Sequence, residues 1–148
     1  MQDVSRRKAL QLGSAVLPTS LAGCVSFFEQ PSITLGQVEI ANQRAEPYTV
    51  HLLVEHDDEL VYWSSFDLKP ATNQETGVTK IDSVAIEDEW PASPGQFAIH
   101  IRLDTQSSWR SLTLDEQDGG CQEVLALIDR AGEPPASVSI LTTNHCQS

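Results

Sequence analysis

Large apolar side chains recur at every second position over several short stretches of this chain, and this period restricts the fold more than any other feature. In residues 97–104, FAIHIRLD, they occupy the odd-numbered positions. A period of two is typical of a half-buried β-strand. Residues 48–54 and 60–68 alternate in the same way, and the polar segment 56–59, HDDE, lies between them. A polar turn between two alternating runs predicts an antiparallel hairpin.

Five further short runs carry strand-like patterns, and polar residues, glycines or prolines separate them. They are residues 33–41, 81–87, 109–114, 121–129 and 137–143. Many short strands with turns every 8 to 12 residues or so, and no long helical run, are typical of a two-sheet sandwich. We therefore expect an all-β fold, an immunoglobulin-like antiparallel sandwich of about seven or eight strands.

The length of 148 residues leaves room for one such domain, because single domains commonly have about 100 to 150 residues. We assign residues 33–148 to the sandwich, residues 24–32 to a tether, and residues 1–23 to a signal peptide.

The signal assignment depends on three features of the opening segment. Arg6 and Arg7 are adjacent and follow a serine, and small and polar residues dilute the apolar run 10–23. A basic start, an apolar middle and small residues before a cleavage point are typical of an export signal. The arginine pair resembles that of a twin-arginine signal, although Ala9 stands where such signals usually carry Phe or Leu.

Residues 21–24, Leu-Ala-Gly-Cys, resemble a lipobox, in which the cysteine thiol receives a lipid. This resemblance implies that Cys24 becomes the mature N-terminus and that membrane lipid is a partner of the chain through Cys24. A lipid with two chains meets the requirement of stable anchoring for more than one acyl chain. The alternative is an uncleaved membrane helix from about Leu10 to Phe28, which Pro18 and the polar residues weaken.

Cys121 and Cys146 are the other two cysteines of the chain. An even number of cysteines in an exported chain favours a disulfide, which here would join the penultimate strand to the C-terminus. The alternative is a metal or redox site that also uses His145, although the sequence lacks the closely spaced cysteine pairs of zinc sites.

From Cys24 onward, six Lys and Arg residues stand against twenty Asp and Glu residues, a net charge of −14. This balance argues against nucleic acid as a partner, because its phosphates must be neutralised by cations, and against electrostatic docking on anionic lipid. At molar salt the Debye length is about 3 Å, so self-repulsion is screened. We expect a halophile's protein that needs salt to stay folded; an ordinary acidic secreted protein is the alternative.

The histidines and acidic segments do not define a catalytic or metal site. The sequence contains neither a Gly-x-Ser-x-Gly turn nor a His-Glu-x-x-His pair. His51 and His100 fall on the predicted solvent faces of two strands and would share a metal only if those strands were neighbours. The acidic segments 57–59, 87–89 and 115–119 lack the EF-hand spacing, so we interpret them as solvated turns. We predict no catalytic residue, no metal and no cofactor.

The three tryptophans suggest a binding role, since exposed tryptophans serve as platforms for sugars or partner proteins. Trp63 alternates with Tyr62, Trp90 precedes Pro91 in a predicted loop, and Trp109 begins a short strand. We nevertheless expect Trp63 and Trp109 to fill the sandwich core or cover its edge.

Four segments in this order resemble small uncharacterised exported lipoproteins of haloarchaea. They are VHLLVEHDDELVYWSSFDL, EDEWPASPGQFAIHIRLD, a strand that begins with Cys121 and a tail that ends near Cys146. The resemblance implies a sandwich fold and residence at the cell surface, exported and anchored to the outer face of the membrane. It implies no activity and no functional residue.

The leading hypothesis for function is a lipid-anchored, non-enzymatic interaction or envelope-structural module whose partner is an envelope protein or a glycan. The competing hypothesis is an extracellular module that binds a glycan, calcium or a transition metal.

Overall fold

A computed structural model of the chain describes residues 32–115, 120–129, 135–144 and Cys146. The predicted signal peptide with Arg6 and Arg7, the lipid-attachment residue Cys24, most of the tether, and His145 lie outside the described residues. Among the residues that are described, no helix is long and apolar enough to span a membrane.

The described residues form ten β-strands and no helix. The strands are β1 (Thr34–Asn42), β2 (Tyr48–His56), β3 (Glu59–Leu68), β4 (Thr72–Asn73), β5 (Thr79–Lys80), β6 (Asp82–Glu87), β7 (Phe97–Leu103), β8 (Arg110–Thr113), β9 (Cys121–Ile128) and β10 (Val138–Thr143). All eight predicted strands are confirmed. Strands β4 and β5 were not predicted; they have two residues each and lie in a polar segment between two predicted strands.

Two four-stranded sheets form the sandwich, and β4 pairs with β5 in a small separate hairpin. Sheet I has the order β10-β9-β1-β6, and sheet II has the order β3-β2-β7-β8. The all-β sandwich is confirmed. In immunoglobulin terms, the neighbours β1 and β6 correspond to strands B and E, and sheet II corresponds to C′-C-F-G. The C-terminal hairpin of β9 and β10 occupies the place of strand A beside β1.

The pair β1 and β9 differs from the antiparallel arrangement that we expected, because these two strands run parallel, with Thr34 opposite Cys121. The cause lies in the preceding connection. Strand β8 ends at the end of the sandwich at which β1 begins. Strand β9 also begins at this end, so it runs in the same direction as β1. All the other pairs between the described strands are antiparallel.

The core lies between the two sheets and consists of the inward side chains of alternating strands. In β7 the odd-numbered residues are fully buried, as the period of two predicts. Burying one such side chain contributes about 1.5–3 kcal/mol to folding, which makes this layer the main stabilising element. Its fully buried members include Val38, Ile40, Val50, Leu52, Val54, Phe97, Ile99, Ile101, Leu103, Ala126 and Ile128.

The predicted hairpin of β2 and β3 is confirmed, with Tyr48 opposite Leu68 and His56 opposite Glu59. Asp57 and Asp58 form its two-residue turn with φ values of 51° and 64°. Such positive φ values at both turn positions are typical of a type I′ turn, and Asp tolerates them better than most residues. The Asp57 carboxylate also accepts a hydrogen bond from the backbone N–H of Gln96 at 2.9 Å.

Trp90 lies in the loop after β6, as predicted, and its side chain is part of the core. Its side chain is only 8% exposed, and its indole N–H donates a hydrogen bond to the Leu35 carbonyl at 2.8 Å. The bond satisfies the polar atom that a buried tryptophan carries. It also ties the segment after β6 to β1.

Cys121 and Cys146 are placed as a disulfide pair, with Cα atoms 5.8 Å apart, within the range that a disulfide requires. The bridge lies against Gly36 of β1. A Cβ atom on Gly36 would lie 2.7 Å from Cys146 Sγ, so glycine is needed here for close approach. The pairing of β1 and β9 also changes register at this position, between Leu35 and Val38.

The two ends of the sandwich differ in what they carry. At one end, which we call the tether end, β1 begins, β2 ends, β7 begins and β9 begins, and the Ile33–Gly95 bridge connects the two sheets there. At the opposite end, which we call the far end, lie the loop between β1 and β2, the β4–β5 hairpin and the loop between β7 and β8.

Candidate interaction face

The outward side of sheet II is the candidate functional surface, and we call it the outer face. It consists of the residues of β2, β3, β7 and β8 that alternate with the core residues. The strand register arranges its central part in two rows, Trp63, Leu53, His100 and Ser111 in one, and Ser65, His51 and Arg102 in the next.

Trp63 is the most exposed of the large apolar side chains on the outer face, at 67%. It lies on the edge strand β3, opposite Leu53 of β2. Leu60, on the same hairpin, is 54% exposed. Our expectation that Trp63 fills the core or covers its edge is therefore wrong. The strand pattern itself could have shown this, because Trp63 is out of phase with Tyr62 and Phe66, which pack against the core.

Two serine–histidine pairs flank the apolar part of the outer face. His51 Nδ1 is hydrogen-bonded to Ser65 Oγ at 2.7 Å, and His100 Nδ1 is hydrogen-bonded to Ser111 Oγ at 2.7 Å. Each pair joins a central strand to the edge strand beside it. The serines therefore fix the orientation of both imidazole rings, and these polar rings lie on the same face as Trp63.

His51 and His100 lie on neighbouring strands, which was the condition for a shared metal, but they are not directly opposite each other. His51 faces Arg102, and His100 faces Leu53. Their Nδ1 atoms are directed at serines on different edge strands. Within the described part of the chain, no group of three or more His, Cys, Asp or Glu side chains could hold a metal ion.

His100 also contacts a carboxylate, because its Nε2 lies 3.2 Å from Glu55 Oε2. Ser111, His100 and Glu55 thus form a continuous hydroxyl–imidazole–carboxylate chain, which the sequence motifs did not reveal. In the serine-hydrolase arrangement, Nε2 faces the serine and Nδ1 faces the acid. Here the two nitrogens are exchanged, and the chain lies across an open sheet face. Its evident effect is to hold the His100 ring.

Trp109 lies at the far end of the outer face, where β8 begins. The Arg102 guanidinium carbon lies 5.1 Å from the centre of the Trp109 ring, a cation–π distance. Arg102 also donates a hydrogen bond to the Gln106 carbonyl at 3.1 Å. Trp109 remains 38% exposed, so it does not fill the core. It covers Arg102 at the margin of sheet II, which is the second of the two positions that we expected, at the edge.

Charge is distributed unevenly between the two ends of the sandwich. All the described Lys and Arg residues lie toward the far end: Arg44, Lys69, Lys80, Arg102 and Arg110. The described residues of the tether end carry only carboxylates: Glu55, Asp57, Asp58, Glu59, Glu87, Asp88, Glu89, Asp115 and Glu123. The high net negative charge is therefore concentrated at the end where the N-terminal segment joins the domain.

Comparison with known proteins adds no family and no function. No protein-family model matches the chain, and no curated protein matches it. Among solved structures, the chain is similar to the cytotoxin protein suilysin from Streptococcus suis, with 13% sequence identity and a TM-score of 0.31. The match covers 74% of this chain and 24% of suilysin, so the chain spans about a quarter of that protein's length. A similarity this low supports no inference about activity.

Proposed function

We propose that this chain is an exported, lipid-anchored module of a halophile's cell surface that binds an envelope partner through the outer face and catalyses no reaction. The observation that carries the proposal is the 67% exposure of Trp63 beside two oriented serine–histidine pairs. The export signal, the lipidated Cys24 and the halophilic origin enter the proposal from the sequence alone.

The outer face has the composition of a protein–protein contact. Binding energy at interfaces is concentrated in a few residues, among which tryptophan is enriched, and polar groups surround them. Trp63, Leu53 and Leu60 supply an apolar centre. Around it, His51, His100 and their serines have internal hydrogen bonds, so little conformational entropy is lost when a partner covers them.

The arrangement of the two ends fits an anchor at Cys24. A tether of residues 24–32 spans at most about 30 Å when fully extended, so the domain stays close to the membrane. The carboxylates of the tether end would face the bilayer and, where lipids are anionic, be repelled by it. The far end then points away from the membrane. The outer face lies roughly perpendicular to the bilayer and is accessible to proteins of the surrounding envelope.

A cross-linking experiment in the native cell tests the outer face as the contact surface. A photoreactive residue placed at Ser65 should capture a specific envelope partner, and Trp63→Ala should reduce that capture at least tenfold, because hot-spot truncations cost about 2 kcal/mol or more. Leu141→Ala is the matched control, since Leu141 is 50% exposed on sheet I. Equal capture with Trp63→Ala and with Leu141→Ala would exclude the outer face as the contact surface.

The anchor has a separate test. Cys24→Ser should release the protein from the membrane fraction while leaving its fold unchanged by circular dichroism, because the thiol is the attachment point. Retention of the variant in the membrane fraction would remove lipidation from the proposal and favour the uncleaved helix.

A glycan ligand is the second candidate, and the exposed Trp63 ring favours it. A flat, exposed aromatic ring can stack against a sugar, and the neighbouring imidazole edges can bond its hydroxyls. Trp63→Phe should then retain binding to envelope polysaccharide and Trp63→Ala should lose it. Melting curves with calcium, copper and zinc test the ion-binding version of this hypothesis, because a ligand bound by the native state raises the melting temperature.

A further inference from the structure

The chain from Cys24 onward contains only two lysines, Lys69 and Lys80, and the fold brings both to one cleft at the far end. Residues 69, 70, 72 and 80–82 line this cleft, whose volume is about 340 Å³. Lys69 follows β3 directly, and Lys80 belongs to β5, opposite Thr72 of β4. The small β4–β5 hairpin thus brings two lysines, 11 positions apart in the sequence, into the lining of one cleft.

Among the described residues, no carboxylate forms an ion pair with either lysine. The ion pairs within 4.0 Å among the described residues involve Arg44, His56 and His100, and neither lysine takes part in one. Asp82 is the acidic residue of the cleft lining. Its Oδ2 accepts a hydrogen bond from the backbone N–H of Lys69 at 2.7 Å. With two lysines and one aspartate, the lining carries a net charge of +1. The cleft therefore has positive charge available in a strongly acidic protein.

The backbone around the cleft is held in place from beneath. Asn42 is fully buried, and its Nδ2 donates hydrogen bonds to the Lys69 carbonyl at 2.9 Å and to the Glu46 carbonyl at 2.7 Å. The backbone N–H of Ala71 donates to the Arg44 carbonyl at 2.7 Å. These bonds fix the backbone of the segment that carries Lys69, so only the side chain of this lysine has to be ordered when a ligand binds.

The rest of the cleft lining is apolar or neutral. Ile81 is 42% exposed and lies beside Pro70 and Thr72 in the lining. A volume of this size is at the lower end of small-molecule sites, which range from roughly 300 to 1,000 Å³. The cleft therefore accommodates a single small molecule that presents an anionic group to the lysines and carbon-bound hydrogens to Ile81.

We propose that the Lys69–Lys80 cleft is a binding site for a small organic oxyanion, a carboxylate or sulfate ester carried on a sugar-sized ring. The ammonium groups of Lys69 and Lys80 donate charge-assisted hydrogen bonds to the oxyanion, and Ile81 and Pro70 contact the ring. The site is separate from the outer face and does not depend on the lipid anchor. At the far end it is directed away from the tether.

NMR titration of the ¹⁵N-labelled domain tests the site with three probes at constant ionic strength. Glucuronate carries both the anion and the ring, sulfate carries the anion alone, and glucose carries the ring alone. We expect saturable shifts of the amides of residues 69–72 and 80–82 with glucuronate, weaker saturable shifts with sulfate, and none with glucose. Equal responses to glucose and glucuronate, or shifts that rise linearly without saturation, would overturn the proposal.

Variants that each remove one positive charge show whether glucuronate binding depends on Lys69 and Lys80. Lys69→Gln and Lys80→Gln should each weaken glucuronate binding about tenfold, since a hydrogen bond to a charged group contributes on the order of 1.5 kcal/mol or more. Arg110→Gln is the matched control, because it removes an equally exposed cation from the same end but outside the cleft lining. Equal weakening by Arg110→Gln would show a general charge effect and reject the site. All three side chains are exposed, and unchanged amide spectra check that the variants fold.

Discussion

Removing the pair Cys121 and Cys146 should lower the stability of the domain strongly without changing its fold. The two cysteines are separated by 25 positions. In the chain-entropy treatment, closing a loop of about this length lowers the entropy of the unfolded chain by roughly 12 cal/mol/K, or about 3.5 kcal/mol at 25 °C. The free energy of unfolding of the double variant Cys121→Ser, Cys146→Ser should therefore be lower by about 3.5 kcal/mol.

The corresponding change in melting temperature follows from the size of the domain. An unfolding entropy of about 2.1 cal/mol/K per residue gives roughly 0.24 kcal/mol/K for a domain of about 116 residues. Dividing the lost stability by this entropy predicts a melting temperature about 10 to 15 °C lower. Differential scanning calorimetry of both proteins in the same high-salt buffer measures it. A difference below about 2 °C would refute the entropic role of the bridge.

Gly36 provides an internal check that the bridge lies where the structure places it. Gly36→Ala should cost the oxidised protein about 1–3 kcal/mol, because the new Cβ would press on Cys146 Sγ. In the double serine variant the oxygen is smaller than sulfur and unconstrained, so the same substitution should cost much less. Equal costs in both backgrounds would show that Gly36 does not contact the bridge.

Four further predictions concern the core, the outer face and the solvent. Asn42→Ala should destabilise the domain by about 3 kcal/mol in denaturant unfolding, because the carbonyls of residues 46 and 69 and the N–H of residue 44 lose their part-buried hydrogen bonds to the Asn42 side chain; a loss below 1 kcal/mol would contradict this. Trp90→Phe should cost about 1–3 kcal/mol, since the Leu35 carbonyl loses its donor, whereas an unchanged denaturation midpoint would argue against that bond. A fluorophosphonate probe should leave Ser111 unlabelled, and labelling that disappears in Ser111→Ala would show that the Ser111–His100–Glu55 chain is catalytic. Dialysis from molar salt into dilute buffer should unfold the domain, and a native circular dichroism spectrum in dilute buffer would rule out the halophilic interpretation.

The strands could be predicted from local patterns because successive residues of a sandwich strand point alternately to the core and to solvent, and their apolar and polar character alternates accordingly. Residues 97–104 alternate cleanly, and Phe97, Ile99 and Ile101 are fully buried in β7. The HDDE turn predicted the β2–β3 hairpin because short polar turns dictate local pairing. The parallel pairing of β9 with β1 could not be predicted this way, since strand direction depends on the end at which the chain crosses between sheets.

The candidate sites depend on register and on long-range pairing, which the sequence does not display. His100 meets Ser111 and Glu55 only because β2, β7 and β8 are adjacent in one register. Lys69 and Lys80 line the same cleft because the hairpin of the two-residue strands β4 and β5 reverses the chain after Lys69. The exposure of Trp63 could have been predicted from the sequence, because Trp63 alternates with Tyr62 and Phe66, which pack against the core. The expectation of burial followed the general tendency of tryptophan to be buried and neglected this alternation.

Mass spectrometry of the protein purified from its native membranes tests the proposed lipid attachment at Cys24. We expect a chain that begins at Cys24 and carries the additional mass of a two-chain lipid. A chain that begins at Met1 with no added hydrocarbon would contradict it.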